Sequence, residues 1–137
     1  MKQFSLPIET LIYPNNKYPY KLLLDVTIRA TGITGYDIKT NYIALNDEGD
    51  LTIFSGYSWD GASGAVDTLS AVLMSLSHDA FYQLLRMGLI PYEERKRVDC
   101  FSLISVARAN GMSCFRSFYI YTAVRLFGGR FAKMGKV

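Results

Sequence analysis

Between Leu69 and Met87 apolar side chains return at Leu69, Val72, Leu73, Leu76, Ala80, Leu84 and Met87. That is the 3.6-residue spacing of a helix with a buried face. Asp67 or Thr68 is placed to cap its start, and Gly88 to end it. Leu89-Ile90 then leads to Pro91, which suits the first turn of a second helix. Glu93 and Glu94 follow where negative charge favours a helix N-terminus. This helix is predicted to run to about Asn110, with Gly111 beyond it and Val98, Phe101, Ile104 and Val106 as its apolar stripe. A third helix is predicted from Met112 or Ser113 to Phe127, stopped by Gly128-Gly129. The basic tail after it is expected to fray.

The front of the chain follows a different period. Residues 1 to about 20 read as irregular, punctuated by Pro7, Pro14 and Pro19. Tyr20 to Ala30 reads as one strand, with a short strand possible within Tyr36–Thr40. Asn41–Leu45 and Leu51–Phe54 flank Asn46-Asp47-Glu48-Gly49-Asp50, a hairpin with a loop of about five residues. Gly56 to Gly64 forms a tight glycine-rich loop around Trp59 and Asp60. The pattern predicts an α+β fold: a small N-terminal antiparallel β-sheet followed by three helices, the first two an antiparallel pair. A single domain spans 1–137, with a β-rich part (1–57), a loop and three helices (58–128) and a basic tail (129–137).

Composition sets bounds on this picture. Half the residues are hydrophobic and 20% are charged, as in a folded globular chain. A net charge of +3 makes no case for nucleic acid. Charge is uneven, however: from Pro91 onward nine bases face Glu93, Glu94 and Asp99. That half could meet an anionic membrane surface; solvated helix faces explain it equally well. Cys100 and Cys114 form no metal-binding pattern. No stretch reaches the roughly 18 apolar residues of a membrane span, and the N-terminus has no signal-like apolar run. A cytoplasmic location is expected.

His78 is the only histidine, and no other unperturbed side chain titrates near neutral pH. In an antiparallel helix pair centred on Leu89 or Ile90, His78 falls opposite Asp99. An acid facing a histidine fixes its tautomer and stabilises its protonated form, leaving the other ring nitrogen to act as a base on water. Tyr82, at i+4, shares that face and can reach the same carboxylate. Asp79 is rotated about 100° from His78 and is expected to face the loop holding Asp60, away from Asp99. Two carboxylates and backbone carbonyls suit calcium. The alternative is a buried His78–Asp99 pair that only ties two helices, with Asp60 shaping a turn.

His78-Asp79-Ala80-Phe81-Tyr82 resembles the catalytic helix of secreted phospholipases A2, especially their small bacterial and fungal branch. Trp59-Asp60-Gly61-Ala62-Ser63 resembles that branch's calcium loop, and Tyr121 to Gly128 its final helix. Asp-Gly-Ala-Ser, then His-Asp, then a helical Asp also resembles a family of small uncharacterised phage and prophage proteins, over nearly the whole chain. The first resemblance implies His78 as general base, Asp99 as its orienting partner and Tyr82 behind them. It further implies Asp79, Asp60 and the Gly61 carbonyl as calcium ligands, and water attack on an ester. The second implies the setting of an infected or lysogenic bacterial host, or a virion. Other readings are a phage protein that hydrolyses or binds a nucleotide or phosphodiester, and a non-catalytic virion or host-interaction protein.

Overall fold

The computed structural model describes residues 8–10, 20–59 and 69–133. Antiparallel sheets form the front of the chain and three helical rods the remainder, an α+β architecture. Among the described residues seven short strands make two sheets. β1 (Ile8–Thr10), β2 (Tyr20–Leu22) and β7 (Ser58–Trp59) form one, in the order β1-β2-β7. β3 (Val26–Ile28), β4 (Ile38–Lys39), β5 (Ile43–Leu45) and β6 (Leu51–Ile53) form the other, in the order β3-β6-β5-β4.

The predicted hairpin is present, with Ile43 opposite Ile53 and Leu45 opposite Leu51. All four side chains are buried. Its loop is locked by Asn46, whose side-chain oxygen accepts from the amides of Glu48 (3.1 Å) and Asp50 (2.8 Å), an Asn side chain standing in for a backbone turn. Gly49 has φ +88, a conformation that costs other residues strain.

The single strand expected over Tyr20–Ala30 is instead split between the two sheets. The break comes at Leu23–Asp25, where Asp25 accepts from the Ser55 amide (2.7 Å) and the Ser55 hydroxyl donates to the Leu23 carbonyl (2.8 Å). These side-chain bonds replace ladder bonds and let the chain change sheets. Ile8–Thr10, within the stretch read as irregular, pairs with β2. Of the glycine-rich loop, Ser58–Trp59 is β7; Asp60, Gly61 and the proposed caps Asp67 and Thr68 lie outside the described residues.

α1 (Leu69–Arg86) has the predicted limits, and Gly88 beyond it takes φ +71. It is more buried than a one-stripe helix, with no exposed residue from Ala71 to Arg86. Val72, Leu76, Ala80, Phe81, Leu84 and Leu85 pack with the sheet residues Leu22, Ile43, Leu45, Leu51, Ile53 and Trp59 in one core. Ala71 and Met74 join a second cluster with Leu103, Ala107 and Met112. Being central, α1 must satisfy its own polar groups. The Ser75 hydroxyl donates back to the Val72 carbonyl (2.9 Å) and accepts from the Trp59 indole (3.0 Å).

The second rod is not the uniform α-helix predicted. A 3-10 turn (Tyr92–Glu94) leads into α2 (Arg95–Cys100), then a π-helical stretch (Phe101–Val106), then α3 (Ala107–Ala109). Its buried residues are therefore Arg95, Val98, Asp99, Ser102, Leu103 and Ala107. Val106 and Ile104, read as part of the apolar stripe, are only partly buried. A π turn carries one more residue than an α turn, which moves Ala107 into the core.

α4 (Cys114–Phe127) starts at Ser113, whose hydroxyl accepts from the Arg116 amide (3.1 Å), a standard N-cap. The chain after it does not fray at once: Gly129–Ala132 forms a 3-10 turn, and Ala132 is wholly buried.

Candidate functional site

α1 and α2 run antiparallel, as their cross-contacts show. His78 meets Asp99, and one turn along each rod Tyr82 meets Arg95. His78 Nε2 lies 3.0 Å from Asp99 Oδ1, and the Tyr82 hydroxyl donates to the same oxygen at 2.7 Å. The pair expected from loop symmetry and the tyrosine expected from i+4 spacing therefore stand together. The His78 and Tyr82 rings are in contact along the helix, with centroids 4.0 Å apart and planes tilted by 38°.

Asp99 is fully buried, and a buried carboxylate must be paired to stay charged. Four side chains meet that need. Besides His78 and Tyr82, Arg125 Nη1 donates to Oδ2 at 2.9 Å and Arg95 Nε lies 3.7 Å from Oδ2. Burial pushes the Asp99 carboxyl up, but the hydrogen bonds from His78, Tyr82 and Arg125 outweigh it and hold the group below its ordinary value. An ionised carboxylate only accepts, so Nε2 of His78 carries the shared proton and Nδ1 is the nitrogen left to exchange one.

Asp79 stands near that second nitrogen, its Oδ1 3.8 Å from His78 Nδ1. The sequence predicts that it faces the Asp60 loop, away from the His78–Asp99 pair; its carboxylate lies beside the imidazole edge opposite Asp99. Whether it meets Asp60 and Gly61 lies outside the described residues. Burial pushes the His78 pKa down, but Asp79 and Asp99 together outweigh it and raise the group above its ordinary value. Tyr82 is pushed well above the ordinary phenol range, first by burial and then by the Asp99 charge. It therefore keeps its proton and serves as a donor.

The arginines correct the reading of the basic half. Arg95 and Arg125 are not solvated-face charges. Arg95 is buried: its Nε donates to the Tyr82 hydroxyl (3.0 Å), and its Nη2 donates to the Val124 and Arg125 carbonyls at the end of α4. Those carbonyls are among the last of a helix, which lack partners within it. Arg95 thus joins the C-terminus of α4 to the Tyr82–Asp99 pair. Gly129 makes room for it, since a Cβ there would lie 3.1 Å from Arg95 Nη1. The i,i+4 spacing of Arg95 and Asp99 was a signal in the sequence; nothing local pointed to Arg125.

Among the described residues no group of three or more His, Cys, Asp or Glu side chains is gathered as a metal site. No helix there is long and apolar enough to cross a membrane. No protein-family model, curated protein or solved structure matches the chain.

Proposed function

We propose that this protein is a hydrolase in which His78 activates water against an ester, in the manner of a phospholipase A2. The observation that carries this reading is the 3.0 Å contact of His78 Nε2 with a buried, ionised Asp99, which leaves Nδ1 as the basic edge of the ring. Water would give its proton to Nδ1 as its oxygen attacks the ester carbonyl carbon. The charged imidazolium would be stabilised by Asp99. Collapse of the tetrahedral intermediate would break the carbonyl–oxygen ester bond, with His78 returning the proton to the leaving alkoxide. The products are a carboxylic acid and an alcohol.

Calcium belongs to the same proposal. Asp79 offers a partly exposed carboxylate beside the reactive edge of His78, the hard-oxygen chemistry that calcium takes; Asp60 and the Gly61 carbonyl would complete the set. When bound, the ion would polarise the ester carbonyl.

A second reading is favoured by the number of groups on Asp99. Four side chains from three rods converge on it, an arrangement that can serve as a purely structural tie in a phage or host-interaction protein.

Fatty-acid release from mixed phospholipid vesicles, with calcium or with chelator, separates the two. The hydrolase reading requires release by the wild type and its loss in a folded His78→Ala protein. No release by the wild type, or undiminished release by His78→Ala, rejects it.

A further inference from the structure

α4 is built inside out. Among its described residues only Ser117 is buried. The outward positions 115, 118, 119, 122 and 126 follow the i, i+3, i+4, i+7 spacing of one helical stripe. They carry Phe115, Phe118, Tyr119, Thr122 and Leu126, with Phe127 beside them. Phe115 is 84% exposed, Phe127 75% and Leu126 70%. A solvated helix face carries charge at such positions. A contiguous apolar patch of this kind marks an interaction surface.

Charge narrows the partner. Beyond Asp99 the chain contains no acid, while Arg108, Arg116, Arg125, Arg130, Lys133 and Lys136 supply six bases. Arg125 is held by Asp99. Arg130, by contrast, is exposed, its guanidinium 4.7 Å from the centre of the exposed Phe131 ring, so cation and aromatic face stand side by side. Two copies of this surface would bring like charges together, which opposes self-association. The stripe also offers few directed groups. The Thr122 hydroxyl donates back to the Phe118 carbonyl at 2.9 Å. A protein partner needs about one hydrogen bond per 100–200 Å² of interface, whereas lipid needs none.

We propose that the outward face of α4 is a membrane-docking surface that lies in the interface of an anionic bilayer. From Phe115 to Phe127 the stripe is roughly 18 Å long at the helical rise. Phe115, Phe118, Tyr119, Leu126 and Phe127 enter the headgroup–acyl boundary while Arg116, Arg130 and Lys133 meet lipid phosphates. This inference does not depend on catalysis by His78.

The test is co-flotation of the full chain with phosphatidylcholine vesicles and with vesicles of equal parts phosphatidylcholine and phosphatidylglycerol. The expected result is flotation with the anionic vesicles and at least tenfold less with the neutral ones. Phe118→Ser with Phe127→Ser, at exposed positions that leave the core intact, is expected to cut anionic binding at least tenfold while the circular dichroism spectrum stays unchanged. Arg130→Glu is expected to weaken it less. Failure of the wild type to float with anionic vesicles overturns the proposal. So does binding that the Phe→Ser changes leave intact, which would show charge attraction alone. Lipid-free self-association in sedimentation velocity, abolished by those changes, would assign the face to a second copy and also overturn it.

Discussion

Arg125 and His78 hold opposite oxygens of one carboxylate: Arg125 Nη1 is 2.9 Å from Asp99 Oδ2, and His78 Nε2 is 3.0 Å from Oδ1. The third rod is thereby tied to the same group that orients the imidazole, although Arg125 and His78 lie 47 positions apart in the sequence. A change at Asp99 therefore acts on all three rods, whereas a change at His78 removes one of the side chains that hold the carboxylate.

Asp99→Ala leaves Arg95, Arg125 and Tyr82 facing a missing charge. Removing one partner of a buried ion pair costs about 3–5 kcal/mol. His78→Asn leaves both arginines satisfied and should cost about 1.5–3 kcal/mol, the range for one hydrogen bond to a charged group. Urea denaturation of the two variants measures the difference. Equal losses would mean that Asp99 is anchored mainly by His78, against the network described above.

Stability and activity are expected to move in opposite directions as pH rises. His78 is raised in the folded state, so its contribution is fully present below its unfolded value of about 6.5 and is lost as pH rises through the folded value. Asp99 is lowered, so its contribution is present above the ordinary carboxylate value and is lost as pH falls through the folded one. Stability in chelator-containing buffer should therefore plateau between about pH 4 and pH 6.5 and decline above it. A general base must be neutral, so hydrolysis should rise over the range in which stability declines. With one histidine in the chain, its NMR titration is unambiguous. A midpoint at or below 6.5 would contradict the arrangement of carboxylates around the ring.

Asp79→Asn tests the second carboxylate separately. Asp79 supports the charged form of His78 across 3.8 Å but is partly exposed. The His78 midpoint should fall in this variant, and the urea midpoint should change little. Calcium titration of the wild type should perturb the His78 resonances, and Asp79→Asn should abolish that response. A response that survives the substitution would place the ion elsewhere.

Tyr82→Phe removes the hydroxyl that donates to Asp99 and accepts from Arg95 Nε. The Arg95 N–H left buried without that acceptor should cost about 1–3 kcal/mol. Since Tyr82 stays protonated, loss of the hydroxyl should leave the alkaline side of the pH–rate profile unchanged. A shift of that limb would assign the tyrosine a proton-transfer role.

Much of the site was legible because it depends on short-range rules. The α1 limits follow from apolar spacing and Gly88. The hairpin follows from Asn46 to Asp50. The His78–Asp99 pairing follows from the short connection between two antiparallel rods. Other features depend on contacts between distant segments. The break at Leu23–Asp25 comes from Ser55, 30 positions on from Asp25. Arg125 looked like surface charge because its partner sits on another rod. The π-helical stretch gives no propensity signal, since its residues suit an ordinary α-helix equally well.

That stretch has a consequence for how the chain tolerates change. An i→i+5 turn holds one residue more than an i→i+4 turn, and here it lies between Asp99 and Ala107. Upstream, the rod is phased to the carboxylate; downstream, it is phased to the cluster of Ala71, Met74, Leu103, Ala107 and Met112. Forcing residues 101–106 into a regular α-helix at unchanged length would turn the two ends out of step by about 100°. The site and the second cluster could not both keep their partners. The extra residue thus works as a phase adjuster, letting one rod serve two neighbours whose angular demands differ.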